Sequence, residues 1–173
     1  LLFLVGMALL PVLPTPEFWI TQANYIGLYA IVALGLVLLT GVGGMTSFGQ
    51  AAFVGLGAYA TSYLSTVWGI SPWLGLFAGM GVSLVVALVL GGLTMRLSGH
   101  YLPLGTIAWG LSFFYLFGNL EWLGKFDGIS GIAPLELLGR PLRSAHEIYY
   151  LIWTVVALSV VLLQNLLNSR PGR

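Results

Sequence analysis

Charged residues are scarce in this sequence. They make up 6% of its 173 residues, whereas about a quarter of the residues in an ordinary soluble domain are charged. None occurs between Glu17 and Arg96, and an uncharged stretch of that length is long enough for three membrane crossings. Hydrophobic residues account for 58% of the chain. The composition therefore excludes a soluble domain and predicts a polytopic membrane protein.

Cysteine is absent, which excludes disulfides and thiolate metal sites. His100 and His146 are the only histidines, and neither has a second histidine or a carboxylate at ligand spacing. A net charge of +1 gives no reason to expect a nucleic-acid partner. The sequence thus predicts neither a metal nor a cofactor.

The sequence also contains no convincing nucleotide-binding motif. No G-x-x-x-x-G-K-[ST] sequence occurs, so this chain does not cradle ATP itself. The sequence GLGAYA at Gly55–Ala60 matches G-x-G-x-x-A, but no strand precedes it and no acidic residue lies within the next twenty residues. We interpret this match as a coincidence in a small-residue helix.

The apolar residues fall into six segments, which predicts an all-α bundle forming a single, incomplete transmembrane domain over 1–173. The first segment is about 20 Å long at helical rise, short of the roughly 30 Å hydrocarbon core, and is predicted to be a crossing clipped at its N-terminus. A removable signal peptide fits this start poorly. The six predicted segments are Leu1–Leu13, Ala23–Thr40, Ala51–Val67, Pro72–Met95, Leu102–Phe117 and Ile148–Leu167.

An N-terminus on the inside is the predicted orientation, with residues 118–147 forming an outer loop. Basic residues divide evenly between the two sides, so the positive-inside rule adds little. Arg96, Arg170 and Arg173 fall inside, whereas Lys125, Arg140 and Arg143 fall outside with all five acids. The orientation depends more on an aromatic belt, which this arrangement places at the outer interface.

Small residues form stripes along two segments. Helices in lipid associate through close backbone approach, which small residues on one face permit, so we predict that these stripes are packing faces rather than a substrate path. The fourth segment carries Gly75, Gly79, Ser83, Ala87 and Gly91, and the third carries Ala51, Gly55, Ala58, Ser62 and Ser65.

Two interruptions stand out among the apolar segments: GVGGMTSFGQ at Gly41–Gln50 and GHYLPLGT at Gly99–Thr106. Short, Gly/Pro-interrupted segments indicate transport sites, because broken helices offer free backbone groups to a polar solute. Gly41, Gly43 and Gly44 are predicted to let the backbone turn.

Polar residues beside these interruptions are the candidates for a translocation path. They are Ser47, Gln50, His100, Tyr101 and Thr106. Plainer roles stay open: Thr46 and Ser47 could cap the helix that starts near Gln50, and His100 and Tyr101 could be interfacial anchors.

One enzymatic pattern needs weighing. GISG at Gly128–Gly131 resembles the G-x-S-G of intramembrane serine proteases, with Ser130 as nucleophile and His146 as base. Ser130, however, lies in a polar loop after Lys125 and Asp127, and His146 is not inside an apolar helix. The protease reading is therefore a weak alternative, and Asp127 with Gly128 is also a common turn pair.

Four motifs together resemble a known family: GVGGMTSFGQAAFVGLGAYA, RLSGHYLPLGTIAWG, DGISGI and SRPGR, which occur in this order over most of the chain. The resemblance is to the M-type permease subunits of high-affinity branched-chain amino acid ABC importers, relatives of which serve urea and short amides. Two positions depart from the family pattern: Met45 replaces the usual Gln, and Gln50 replaces a more frequent His.

The resemblance implies a multi-pass subunit of a bacterial or archaeal inner membrane, surrounded by lipid. It implies a second permease subunit, two cytoplasmic ATPase subunits and a periplasmic or extracellular substrate-binding protein, which DGISGI could help to dock. Because the family continues past Ser169–Arg173, the chain would be about the first half of a permease that works by alternating access. A urea or short-amide permease and a non-transporting membrane scaffold are the other possibilities.

Overall fold

The computed structural model describes residues 16–45, 47–94, 101–137 and 139–169, with Gly6 and Pro11. The long helices in these ranges are α1 (Glu17–Val37), α2 (Gln50–Val67), α3 (Pro72–Thr94), α4 (Tyr101–Asn119) and α5 (Ala145–Asn168). A π-helical turn, Leu38–Val42, continues α1. Between α4 and α5 lie the 3₁₀ turns Glu121–Leu123 and Lys125–Asp127 and a two-stranded antiparallel hairpin, β1 (Glu136–Leu137) and β2 (Arg140–Pro141). The predicted all-α membrane bundle is confirmed.

Four helices in the described ranges are long and apolar enough to span a membrane. They are α1 with its π-helical turn (26 residues), α3 (23), α4 (19) and α5 (24). The predicted third crossing exists as the 18-residue helix α2, but it is not one of the four, because hydroxyl groups and Gln50 lower its apolar character. The predicted first crossing lies almost wholly outside the described residues. A count of six is therefore not confirmed.

Helices α1 and α5 form one compact unit. Its buried core consists of Ile20, Ala23, Tyr149, Ile152, Trp153 and Val156. Gly27 allows the helices to approach closely, since a Cβ there would lie 2.6 Å from Ile152 Cγ2. Near the helix starts, the Asn24 side-chain amide donates to the Ala145 carbonyl at 3.0 Å. These contacts show that α1 and α5 run in the same direction. The predicted orientation also requires this, because both helices would cross from the outer to the inner side.

A capping box sets the start of α5. The Ser144 hydroxyl accepts the His146 N–H at 3.3 Å, and the Glu147 carboxylate accepts the Ser144 N–H at 3.3 Å. These two side chains satisfy backbone donors that would otherwise lack partners at the helix end. The helix therefore begins at Ala145, three residues before the segment predicted from hydropathy.

The second compact unit spans residues 43–141, and its centre is the antiparallel pair α2 and α3. A Cβ at Gly79 would lie 2.7 Å from both the Gly57 carbonyl oxygen and Thr61 Oγ1, and a Cβ at Gly75 would lie 3.2 Å from the Thr61 carbonyl oxygen. Ser83 adds a hydrogen bond from its hydroxyl to the Phe53 carbonyl at 3.2 Å. The first part of the α3 stripe, from Gly75 to Ser83, therefore packs on α2, whereas no described atom lies within 4 Å of the Gly91 Cβ position.

The α2 surface in this contact differs from the predicted stripe. Phe53, Gly57 and Thr61 face α3, whereas Gly55 faces α4, where its Cβ position lies 2.7 Å from Phe117 Cε2. Small residues thus occur on two faces of α2, one for each neighbouring helix.

Candidate functional site

The two interruptions singled out in the sequence meet in the structure. The Phe48 N–H, in the first interruption, donates to Thr106 Oγ1 in the first turns of α4 at 3.0 Å. The same hydroxyl donates to the Pro103 carbonyl at 2.9 Å. Because these partners are 58 residues apart in sequence, one threonine side chain joins the loop before α2 to the first turns of α4. The second predicted break is not seen at residues 101–106, which are regular α-helix, and Gly99 and His100 lie outside the described residues. We call this contact the Phe48–Thr106 junction.

Backbone geometry allows α2 to begin at the junction. Gly44 has φ +62°, in the left-handed region that glycine adopts without strain. Gly49 is the N-cap of α2 and approaches α4 closely, with its Cβ position 3.4 Å from the Thr106 carbonyl oxygen. The Ser47 hydroxyl accepts the N–H of Gly49 at 3.4 Å. Among the described residues no side chain caps α2, so Ser47 is not the cap, and Thr46 lies outside them.

The predicted path residues are partly brought together. Ser47 and Thr106 belong to the junction, and Gln50 is the half-buried first residue of α2. Tyr101 begins α4 with 70% of its surface exposed. His100 lies outside the described residues. Of the predicted hinge glycines, Gly44 takes the left-handed turn, while Gly41 has only Val37 of its own helix within 4 Å of its Cβ position.

Sequence reasoning missed a cavity between α2 and α4. It has a volume of about 290 Å³ and is partly open. The helices that form it run in the same direction, since Gly49 approaches Thr106 and Gly55 approaches Phe117. Glycine, alanine and aromatic side chains dominate its lining, which consists of Ala51, Ala52, Gly55, Tyr59, Gly110, Phe113, Phe114, Phe117, Gly118, Lys125 and Phe126. We call it the α2–α4 cavity.

Aromatic rings on small residues shape the walls of this cavity. Phe117 lies over Gly55, and its ring centroid is 4.7 Å from that of Tyr59 and 5.7 Å from that of Phe113. Phe126 rests on Gly118 in the same way. The spacing of Phe113 and Phe117, one helical turn apart and opposite a small-residue stripe, was the available sequence signal.

One end of the α2–α4 cavity reaches the junction. Gly110 lines the cavity, and its Cβ position lies 3.9 Å from the Phe48 carbonyl oxygen. Glycine at this point exposes backbone rather than a side chain. Backbone carbonyls near a polar cluster can serve a solute at membrane depth.

At the other end, Lys125 is held in an unusual backbone conformation. Its φ is +53°, the only such value outside glycine among the described residues, and its N–H donates to the Leu120 carbonyl at 3.1 Å. Its ammonium lies 2.8 Å from Glu121 Oε1, and both side chains are largely exposed. A cation and an anion therefore stand together at the end of an apolar cavity.

The residues of the protease hypothesis lie in different surroundings. Ser130 is exposed in the loop of the second unit, whereas His146 is half-buried in the first turn of α5 and belongs to the first unit. In the ranges that the structure covers, no group of three or more His, Cys, Asp or Glu side chains could hold a metal ion.

Membrane-length helices, a hydrogen bond between the loop before α2 and the first turns of α4, and a cavity between these helices are features of a polytopic membrane protein. A family model described as branched-chain amino acid transport system / permease component matches residues 19–173. The chain belongs to this family, which confirms the predicted resemblance.

Two curated relatives are similar over the same extent. The high-affinity branched-chain amino acid transport system permease protein LivM of Salmonella typhimurium is 34% identical over 123 residues, and the protein of that name from Escherichia coli is 32% identical over 123 residues. Each match covers 69% of this chain but 29% of the relative, so the matched part spans less than a third of each relative's length. No solved structure matches the chain.

Proposed function

We propose that this chain is part of the permease subunit of an ATP-driven importer that carries branched-chain amino acids across a bacterial or archaeal inner membrane. The observation that carries the proposal is the α2–α4 cavity, which ends at the Phe48–Thr106 junction in a chain of this permease family. Broken helices at membrane depth expose the N–H and C=O groups that bind small polar solutes.

The assembly we propose has three further kinds of component. A second permease subunit completes the path, two cytoplasmic ATPase subunits hydrolyse ATP, and an external binding protein delivers the substrate. The membrane domain that continues beyond this chain supplies the remaining crossings. The 173 residues of this chain are in this view one incomplete domain, with residues 118–147 facing the binding protein.

Within the path, we assign the polar residues beside the helix breaks to contact with the moving solute. Ser47, Gln50, Tyr101 and Thr106 are the described members, and His100 is assigned from sequence alone. A zwitterion can be held by helix N-terminal N–H groups at its carboxylate and by carbonyls or hydroxyls at its ammonium. Transport then requires no full protein charge in the middle of the bilayer.

The cavity walls favour an aliphatic amino acid over urea or a short amide. Phenylalanine and tyrosine rings with glycine surfaces offer apolar area and few hydrogen-bond partners, whereas urea has no apolar group to bury. Substitution of Met45 and Gln50 for the more frequent residues therefore does not by itself point to a different substrate.

ATP-driven uptake tests this function. The full-length transporter, assembled with its partner subunits and binding protein in liposomes, should accumulate radiolabelled leucine, isoleucine and valine only when ATP is supplied. Urea and acetamide should not accumulate. Equal leucine accumulation with and without ATP, or accumulation of urea alone, would contradict the proposal.

A further inference from the structure

We propose that the α2–α4 cavity is an amino-acid site in which Lys125 binds the substrate carboxylate, Glu121 binds its ammonium, and the aromatic walls hold its aliphatic side chain. The inference rests on the proposed function, because it names the groups that receive the transported amino acid. It concerns the cavity walls and an ion pair at the end of the cavity away from the Phe48–Thr106 junction.

The cavity has the size and surface that such a side chain needs. One water molecule occupies about 30 Å³ in the liquid, so a partly open cavity of about 290 Å³ has room for the branched side chain of leucine. The rings of Phe113, Phe114 and Phe117 line the cavity. An aliphatic side chain placed there leaves water, which is favourable.

The ion pair at the cavity end matches the two charges of an amino acid. Lys125 lines the cavity, and its ammonium is 2.8 Å from the Glu121 carboxylate. The two side chains are 55% and 84% exposed, respectively, so the pair is accessible to a solute. A zwitterion can exchange with this pair, giving each protein charge a new partner of opposite sign and leaving no charge unpaired.

Backbone conformation supports a role for the lysine side chain itself. A φ of +53° is uncommon outside glycine and is strained for most side chains. Glycine would satisfy this turn without strain, as it does at the preceding Gly124, which has φ +79°. An exposed ion pair between neighbouring helical turns stabilises a fold only slightly. Neither local structure nor the ion pair accounts for a lysine here.

Equilibrium binding of radiolabelled leucine to the full-length transporter in nanodiscs, without binding protein or nucleotide, tests the inference. Lys125→Gln and Glu121→Gln should each weaken leucine binding about ten- to a hundred-fold, the effect of losing one charged hydrogen bond. Arg140→Gln, which removes a cation from the same polar segment away from the cavity, should leave the dissociation constant unchanged. Isoamylamine has the side chain and ammonium of leucine but no carboxylate, so Lys125→Gln should not weaken its binding.

A charge-swapped variant, Glu121→Lys with Lys125→Glu, separates binding from structure. It keeps an ion pair but places an anion at the cavity end, so it should remain folded and still lose leucine binding. Leucine affinity equal to that of the wild type in this variant, or no leucine binding by the wild type, overturns the inference.

ATP-driven uptake by the same preparation with its binding protein distinguishes the two proposals. The inference is overturned if the wild type takes up leucine normally but the dissociation constant for leucine is unchanged by Lys125→Gln and Glu121→Gln. The proposed function would still stand. Absence of any ATP-dependent leucine uptake by the wild type overturns both.

Discussion

Replacing Gly79 with leucine should destabilise the full-length protein by about 3 kcal/mol or more, at the upper end of what overpacking costs. The reason is the contact between α2 and α3: a Cβ at this position would meet the Gly57 carbonyl oxygen and the Thr61 hydroxyl, each at 2.7 Å. Backbone at Gly57 cannot move aside as a flexible side-chain end can. The measurement is the thermal midpoint and the yield of monodisperse protein in detergent.

Gly81→Leu is the matched control for this prediction. It makes the same substitution in the same helix, but among the described atoms none lies within 4 Å of the Gly81 Cβ position. We expect Gly81→Leu to keep the yield and midpoint of the wild type. If both variants have the same yield and thermal midpoint, the conclusion that α3 packs on α2 through its glycine stripe is contradicted.

Replacing Thr106 with valine should lower ATP-driven leucine uptake about tenfold. Valine keeps the shape of threonine but removes the oxygen that accepts the Phe48 N–H at 3.0 Å and donates to the Pro103 carbonyl. Losing one hydrogen bond costs about 0.5 to 1.5 kcal/mol, and this bond is the contact that joins the loop before α2 to α4. Initial uptake rates in liposomes, corrected for the amount of assembled transporter, measure the effect.

Thr106→Ser is the control, because serine retains the hydroxyl and loses only a methyl group. Its uptake rate should stay within about twofold of the wild type, a difference smaller than that of one hydrogen bond. Gln50→Leu tests the neighbouring polar residue in the same assay. Unchanged uptake in both Thr106→Val and Gln50→Leu would contradict the proposal that the junction is part of the translocation path.

Sequence periodicity identified the packing of α3 but not its partner surface. The four-residue spacing of Gly75, Gly79 and Ser83 predicts one close-packed face, and the structure places all three against α2. On α2, however, small residues recur on two faces. A helix with neighbours on two sides gives no single periodic signal, so Gly55 and Gly57 could not be assigned to different neighbours in advance.

Composition located the loop before α2, but the break predicted at Gly99–Thr106 is helical from Tyr101 onward. The hydrogen bond between these two stretches could not be predicted. The Phe48–Thr106 contact depends on one hydroxyl and one N–H separated by 58 residues, and no local pattern specifies such a pair. The α2–α4 cavity was missed for a related reason. Phe113, Phe114 and Phe117 look the same in sequence whether they face lipid or a cavity.

Polar capping groups determine where a helix begins, and a hydropathy average does not detect them. The S-x-x-E pattern of Ser144 and Glu147 is a capping-box signal, and the structure begins α5 at Ala145 because of it. From hydropathy alone, the predicted start of this helix was Ile148. Similarly, an apolar count treated α2 as equivalent to its neighbours, although its hydroxyl groups distinguish it.

The central claim is that an amino acid passes along the α2–α4 cavity, and cysteine accessibility tests it most directly. The described chain has no native cysteine, and a thiol reacts with water-soluble reagents only where water allows its thiolate to form. Gly110→Cys places a thiol in the middle of α4 with room at its Cβ position, whereas Leu111→Cys places one at the same depth on an exposed surface outside the cavity lining.

In the full-length transporter, with any other cysteines removed, we predict that a membrane-impermeant thiosulfonate modifies Gly110→Cys, that leucine slows this reaction, and that Leu111→Cys does not react. Equal reactivity at the two positions, or modification of Gly110→Cys that leucine does not slow, would contradict the account.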